Sequence, residues 1–395
     1  MINIKEKIHN QKQAISLCNL ILKSGGEVRF IGGCVRDMLL NKAFSDIDLA
    51  TNLTPEEVQN ILEHNKIKYY TIGKEFGTIT AIANKQSIEI TTLRKDTNCD
   101  GRYAKVEFTD SWIEDAQRRD FTINALSADI NGNIYDYFNG LEDLKSKKVR
   151  FIGIADDRIQ EDYLRILRFF RFSSYFTDKI DEDGLKASIK HSNHLKNISS
   201  ERIKSELSKI FNSSNWLYII KAMDPVLKNI FPYKERTIES IEKLTSSSLM
   251  INNNHEIIIY AIILYNCPNS KELIKNYAFT KQEKAIIEKL LKSQIKDWSN
   301  SLKQYWCEYK NLFKEVAIFN LIIQNIDLNN SLLTSNLEKL FSHPIEMLPI
   351  TGNDLLDLGI KNGKEIGKTL KLADQIWYDQ EFNISKEQLL KKILL

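Results

Sequence analysis

A strand, two glycines and a helix in immediate succession, followed shortly by two aspartates one residue apart, leave few folds open to this chain. In Arg29-Phe-Ile-Gly-Gly-Cys-Val-Arg-Asp37, residues Val28 to Ile31 read as a short strand, Gly32 and Gly33 as a tight turn, and Cys34 to Leu40 as a helix. Glycines at such a turn let backbone N–H groups approach a phosphate with no Cβ in the way. The helix start adds partial positive charge. In Phe44-Ser-Asp-Ile-Asp-Leu-Ala-Thr51 the alternation is that of a strand, so Asp46 and Asp48 share one face. Two carboxylates beside a phosphate cradle suit Mg²⁺, which takes oxygen ligands from protein and substrate phosphates together. Alone, either piece is an ordinary turn or a solvated strand face. Their succession points to nucleotidyl transfer.

The neighbouring sequence extends this unit. Residues 1 to 24 read as an amphipathic helix, with Ile8, Ile15, Leu17 and Ile21 as its apolar stripe. Thr54-Pro-Glu-Glu57 is a capping box with proline at the first helical position, and predicts a helix to about His64. Strands are expected over Tyr69–Ile72, Thr78–Asn84 and Ser87–Thr92, the last two joined by a hairpin at Asn84-Lys-Gln86. Glu89 alternates with Ile88 and Ile90, so it faces away from them. It is either a solvent-facing glutamate or a third carboxylate beside the two aspartates. From Arg94 to Thr109 a polar loop is expected, with Asp100-Gly101 as its turn and Arg94, Lys95, Arg102 and Lys105 as its cations. A helix is expected from Ile113 to Leu126, burying Ile123 and Leu126 and turning Arg118, Arg119, Asp120 and Asn124 elsewhere.

Beyond about residue 140 the pattern becomes helical to the end. In Asp156-Asp-Arg-Ile-Gln-Glu-Asp-Tyr-Leu-Arg-Ile-Leu-Arg168, continuing to Phe172, one helix is expected, with Asp162 and Arg165 neighbours on one face. They form either a surface ion pair or a device for reading a base edge. A carboxylate only accepts hydrogen bonds and a guanidinium only donates them. Cytosine and adenine both offer an amino donor beside a ring-nitrogen acceptor, and guanine and uracil offer the reverse. Such a pair accepts C and A and is left unsatisfied by G and U, at about 1–3 kcal/mol per buried unpaired group.

These pieces resemble the class II tRNA nucleotidyltransferases and the related bacterial poly(A) polymerases. The resemblance rests on Gly32-Gly-Cys-Val-Arg-Asp37, Asp46-Ile-Asp48, Glu89-Ile-Thr-Thr-Leu-Arg94, Asp100-Gly-Arg102, Arg118-Arg-Asp-Phe-Thr-Ile-Asn-Ala125, the Asp162/Arg165 helix and Ser200-Glu-Arg-Ile-Lys-Ser-Glu-Leu207. It implies an α+β fold, with a small mixed sheet in a nucleotidyltransferase head (1–140), then an all-helical neck (141–210), body (211–290) and tail (291–395). It implies addition of CMP and AMP from CTP and ATP to the tRNA 3′ end, with Mg²⁺ held by Asp46 and Asp48 and steadied by Glu89. Gly32, Gly33, Arg36, Asp37, Arg119, Asp120, Asn124, Asp162, Arg165 and Arg168 are the implied nucleotide contacts. Arg202 matches an arginine that supports the selecting helix and, with Arg94, Arg102, Lys361 and Lys364, stands among the implied RNA contacts. Poly(A) addition, CC-only or A-only addition, and a non-catalytic RNA-binding role are the alternatives.

Composition adds bounds. The 395 residues exceed one core, so two to four domains are expected. A net charge of +3 puts any nucleic-acid surface in local clusters. The five cysteines form no Cys-x-x-Cys pair, which fits a cytoplasmic protein without a zinc or disulfide framework. No membrane segment and no stable protein partner are expected; the most apolar run, Ile257 to Tyr265, is too short to cross a bilayer. In Thr351–Leu370, glycine turns alternate with what read as short helical segments carrying Lys361, Lys364 and Lys368.

Overall fold

The computed structural model describes residues 4–44, 46–100, 103–246, 255–298, 302–326, 331–342, 348–380 and 384–394. The chain divides into two compact units, Met1–Ile230 and Phe231–Leu395. The architecture is α+β, with every strand of the described residues in the first unit and only helices in the second.

The first unit opens with α1 (Lys5–His9) and α2 (Lys12–Lys23), two helices where one was expected, separated at Asn10–Gln11. Ile8, Leu17 and Ile21 are buried as the stripe requires. There follow β1 (Val28–Ile31), α3 (Gly33–Leu39), β2 (Ile47–Thr51), α4 (Pro55–His64), β3 (Lys68–Tyr70), β4 (Thr78–Ala83) and β5 (Gln86–Thr92). The Thr54/Glu57 capping box forms in full. A seven-stranded sheet runs in the order β3-β4-β5-β2-β1-β8-β9, with β8 at Ser127–Ala128 and β9 at Ile134–Tyr135. All its pairings are antiparallel except β2 with β5, which sets Asp48 directly across from Glu89. Side chains directly opposite each other in a ladder lie on one face of the sheet. Phe30, Leu49, Ile79, Ile88 and Ile90 fill its buried side.

Two expectations are corrected here. The segment after Arg94 is not a loop but an antiparallel ribbon, β6 (Arg94–Asp100) with β7 (Tyr103–Phe108). The polar sequence of β6 carries no apolar alternation to announce a strand, but Ala104, Val106 and Phe108 in β7 alternate with Lys105 and Glu107, a signal that sequence reading passed over. Arg102 lies outside the described residues. The expected helix from Ile113 to Leu126 is instead α5 (Trp112–Gln117), an irregular stretch, and a single 3₁₀ turn at Thr122–Asn124. The chain is drawn off the helical path at Phe121, which bridges Phe151 and sits 4.9 Å from its ring. Ile123 and Leu126 are buried as expected, but so are Asp120 and Asn124.

The helices α6 (Gly140–Lys145), α7 (Ala155–Glu161), α8 (Leu164–Phe176), α9 (Glu182–His191), α10 (Ser200–Phe211), α11 (Trp216–Ala222) and α12 (Asp224–Ile230) complete the unit. The aromatic rings of Phe121, Phe151, Phe169 and Phe172 lie 4.9–6.3 Å apart and lock α8 to the sheet portion. Each such pair adds about 0.5–1.5 kcal/mol beyond its burial. In the second unit the apolar run forms the helix His255–Tyr265, with Ile258 to Leu264 all buried. A helix buried all round carries no amphipathic signal. None of the described helices is long and apolar enough to cross a membrane. The Thr351–Leu370 stretch forms one short helix, Gly352–Asp357, and the start of a long one, Gly363–Asp379, through which Gly367 passes without a break.

Candidate active site

An open cleft of about 610 Å³ in the first unit is lined by Gly32, Gly33, Arg36, Asp48, Arg94, Arg118, Arg119, Asp120, Asn124, Asp162, Arg165, Arg168, Arg171 and Phe172. Glycine turn, carboxylate strand, double arginine and the Asp162/Arg165 segment, far apart in sequence, thus share one cavity.

Gly32 caps α3 at φ +67°, a backbone region closed to most side chains, and its N–H donates to the Leu126 carbonyl at 2.9 Å. A Cβ there would also sit 3.2 Å from the Arg119 guanidinium. The turn therefore needs glycine for its torsion and for the closeness of that cation. Cys34, within the same motif, is buried and its thiol is pushed up to about 11 by that burial. It is no nucleophile at neutral pH.

Asp48 sits on β2 and Asp46 immediately before it, Asp46 exposed and Asp48 half-buried. Burial raises the Asp48 carboxyl to about 6, and the Glu89 and Asp46 carboxylates add to the rise against the opposing pull of Arg119. Of the three carboxylates, Asp48 lines the cleft, while Asp46 and Glu89 are not among its lining residues. The described residues hold no cluster of three or more His, Cys, Asp or Glu already arranged to hold a metal.

The facing wall consists of arginines, most of them matched by an acid. Asp115, nearly fully buried, accepts from Arg118 at 2.8 Å and from Arg119 at 3.0 Å. Burial opposes ionisation of Asp115, yet the two guanidiniums outweigh it and hold its carboxyl below the usual range. Asp120 behaves likewise: burial disfavours its charge, and Arg168 at 2.5 Å with the Asn124 amide at 3.0 Å overrides it. Asn124 in turn accepts from Arg36 at 2.6 Å, and Arg36 grips Asp37 with two N–H groups at 2.9 and 3.0 Å. A continuous polar chain therefore runs from α8 through Asp120 and Asn124 to the helix behind the glycine turn. Arg171 pairs with Glu206 of α10 at 2.7 Å.

Asp162 and Arg165 do not form the helical neighbours expected. Asp162 lies between α7 and α8 in extended backbone (φ −151°, ψ 108°), and its Oδ1 accepts from the N–H of Leu164, the first residue of α8, at 3.0 Å. Its Oδ2 accepts from Arg202 of α10 at 3.0 Å. Arg165 donates to Glu161 at 2.5 Å and to the Arg118 carbonyl at 3.2 Å. Both residues still line the cleft.

Of the other candidates, Arg94 lines the cleft and donates to the Phe76 carbonyl. Lys361 and Lys364 are exposed and belong to the second compact unit. Sequence reading missed Asp115, Arg158, Glu161, Arg171 and Glu206. Asp115 carried a usable signal, lying three and four residues before the arginine pair on a helical path.

Comparison with known proteins agrees with this geometry. A family profile described as the Poly A polymerase head domain matches residues 28–150. A second, described as a probable RNA and SrmB-binding site of polymerase A, matches residues 179–245. The human mitochondrial CCA tRNA nucleotidyltransferase 1 is 35% identical, covering 96% of this chain and 89% of its own length. The CCA-adding enzyme of Staphylococcus epidermidis is 30% identical, covering 96% of each. In fold, the Bacillus stearothermophilus CCA-adding enzyme solved with CTP superposes with a TM-score of 0.73 at 22% identity, covering 97% of this chain and 96% of its own. The chain belongs to the family of CCA-adding enzymes, the tRNA nucleotidyltransferases.

Proposed function

We propose that this chain builds the CCA end of tRNA, transferring CMP and AMP from CTP and ATP to the RNA 3′ terminus and releasing pyrophosphate. The relatives named above supply the reaction. The observation that carries it to these residues is the meeting of Gly32–Gly33, Asp48 and Asp162/Arg165 in one cleft.

The chemistry of the strand wall fits a divalent cation. Asp48 stands across the ladder from Glu89 and two residues after Asp46; its carboxyl is raised mainly by burial and further by those two carboxylates, a charge a cation would offset. Asp46 and Asp48 would hold Mg²⁺, with Glu89 fixing Asp48 from the neighbouring strand. When bound, two such ions lower the pKa of the primer hydroxyl and neutralise the triphosphate and the departing pyrophosphate. The Gly32–Gly33 backbone and Arg119 face the phosphates. Asp120 and Asn124 act through Arg168 and Arg36, and Asp37 acts by anchoring Arg36.

Asp162 and Arg165 select the base. The Leu164 N–H and Arg202 engage each Asp162 oxygen once, and a carboxylate oxygen has capacity for a further donor, the exocyclic amino group of C or A. Arg202 holds that carboxylate in place. Arg94, Arg102, Lys361 and Lys364 are read as RNA contacts, with the functional parts as head (1–140), neck (141–210), body (211–290) and tail (291–395).

Purified protein with tRNA lacking its 3′ end, given CTP and ATP singly and together, tests the reading. Two C residues with CTP alone, and a completed CCA with both, are expected. A long A tract with ATP alone identifies a poly(A) polymerase. Arrest after CC with both nucleotides, or A added only to tRNA already ending in CC, identifies a partial enzyme.

A further inference from the structure

Arg158 lies on α7, a full turn before the selecting Asp162, and its side chain is only 12% exposed. One Nη donates to two successive backbone carbonyls, those of Arg118 and Arg119, each at 2.7 Å. The other donates to Glu161 at 2.6 Å. Its Nε is buried without an acceptor among the described residues. A buried guanidinium with an unsatisfied N–H is costly to keep. What its other N–H groups hold must outweigh that cost.

The carbonyls it holds need a donor. Arg118 and Arg119 directly follow α5, where backbone oxygens lack helical partners and carry the helix's partial negative charge. Arg158 satisfies them from another element. Arg165 joins the same knot: it donates to the Arg118 carbonyl at 3.2 Å, to the Arg158 carbonyl at 2.9 Å and to Glu161 at 2.5 Å. The backbone bearing Arg118 and the phosphate-facing Arg119 is therefore fastened to the segment bearing the base-selecting pair, chiefly by Arg158, which holds both carbonyls where Arg165 reaches only that of Arg118.

We propose that Arg158 is a positioning residue that registers the base-selecting segment against the phosphate-facing Arg119, so that base choice and triphosphate grip depend on one another. This rests on the reading of Asp162 and Arg165 as the selecting pair. Lysine keeps the charge of Arg158 but not the planar fork that spans two carbonyls and a carboxylate at once. Glutamine keeps one donor group and loses the charge.

The test uses the full chain and tRNA lacking its 3′ end, comparing wild type, Arg158→Lys, Arg158→Gln and Arg165→Ala. Steady-state constants for CTP and ATP, the ratio of CTP to UTP incorporation, tRNA affinity and Tm are measured. Both Arg158 variants are expected to lose about tenfold in the CTP-over-UTP ratio and to raise KM for CTP by a similar factor, with tRNA affinity unchanged. Lysine is expected to recover part of the KM and none of the ratio. If Tm falls in the Arg158 variants while ratio and KM stay at wild-type values, Arg158 is only structural and the proposal fails. An unchanged ratio in Arg165→Ala instead overturns the selecting-pair reading. Arg158 is then judged on KM for CTP alone: a tenfold rise upholds its grip on the phosphate-facing Arg119, and no rise rejects it.

Discussion

The two walls of the cleft carry opposite charge and opposite kinds of order. On the arginine wall, Arg118 and Arg119 face Asp115, Arg165 faces Glu161, Arg168 faces Asp120 and Arg171 faces Glu206, all within 3.0 Å. On the strand wall, Asp48 is crowded by Glu89 and Asp46 and relieved only in part by Arg119. One wall is paired internally before any ligand arrives; on the other, burial first and the neighbouring carboxylates second hold the Asp48 carboxyl above its usual range. Preorganised donors need not be reordered as charge develops. A carboxyl so raised, by contrast, lowers the stability of the empty chain to create affinity for what it binds.

That contrast can be broken most severely at Asp48. Asp48→Ala is expected to cut nucleotide incorporation by at least about a thousandfold while tRNA binding is retained, because a site of this type loses its cation with its ligand. Incorporation near the wild-type rate would remove the metal role. On the opposite wall, Asp120→Ala strands the Arg168 guanidinium and is expected to cost about 3–5 kcal/mol in urea unfolding. A loss below about 1 kcal/mol would mean that the arginine wall is not settled by its internal pairs. Arg165→Ala should lower the preference for C and A over U and G by about 10–100-fold, more than it slows transfer. Preserved preference in a nucleotide-competition assay would take selection away from this segment.

The smallest expected effect concerns pH. The Asp48 carboxyl rises from an ordinary value of 3.8 to about 6 on folding, so between those values the folded chain binds the extra proton. Stability from this group is therefore complete below about 3.8 and is lost as pH rises through about 6. Near neutral pH, millimolar Mg²⁺ should restore it, raising Tm by roughly 2–5 °C in the wild type and by much less in Asp48→Asn. Equal Mg²⁺ shifts in both proteins would show that the cation acts elsewhere.

The difference between the walls also explains what the sequence could disclose. The strand wall was legible because its signals are local: Gly32-Gly33, the Asp46/Asp48 alternation and Glu89 between two isoleucines each announce their geometry within a few residues. The arginine wall was legible only on one side. Its cations sit in recognisable strings, but Glu206 and Asp120 reach their partners across separate elements, and no spacing rule encodes such pairs. Two local errors have the same origin. The apolar pattern runs unbroken through Ile159, Tyr163, Ile166 and Leu167, so nothing in the periodicity marks the end of α7 at Glu161. The strand β6 is polar and leaves no period to read, whereas β7 carried one in Ala104, Val106 and Phe108 that the cations around it masked.

Asp162 occupies a joint between two rods rather than a position within one. A side chain set on a regular helix can be re-aimed only by moving the whole rod or by melting a turn. At a joint, two backbone torsions suffice, and the hydrogen-bond ladders on either side survive. A pyrimidine and a purine bring the same amino-and-nitrogen edge to different distances from the sugar. If Asp162 reads the base as proposed, the Leu164 N–H and Arg202 bonds that hold its carboxylate must travel with it from one edge to the other.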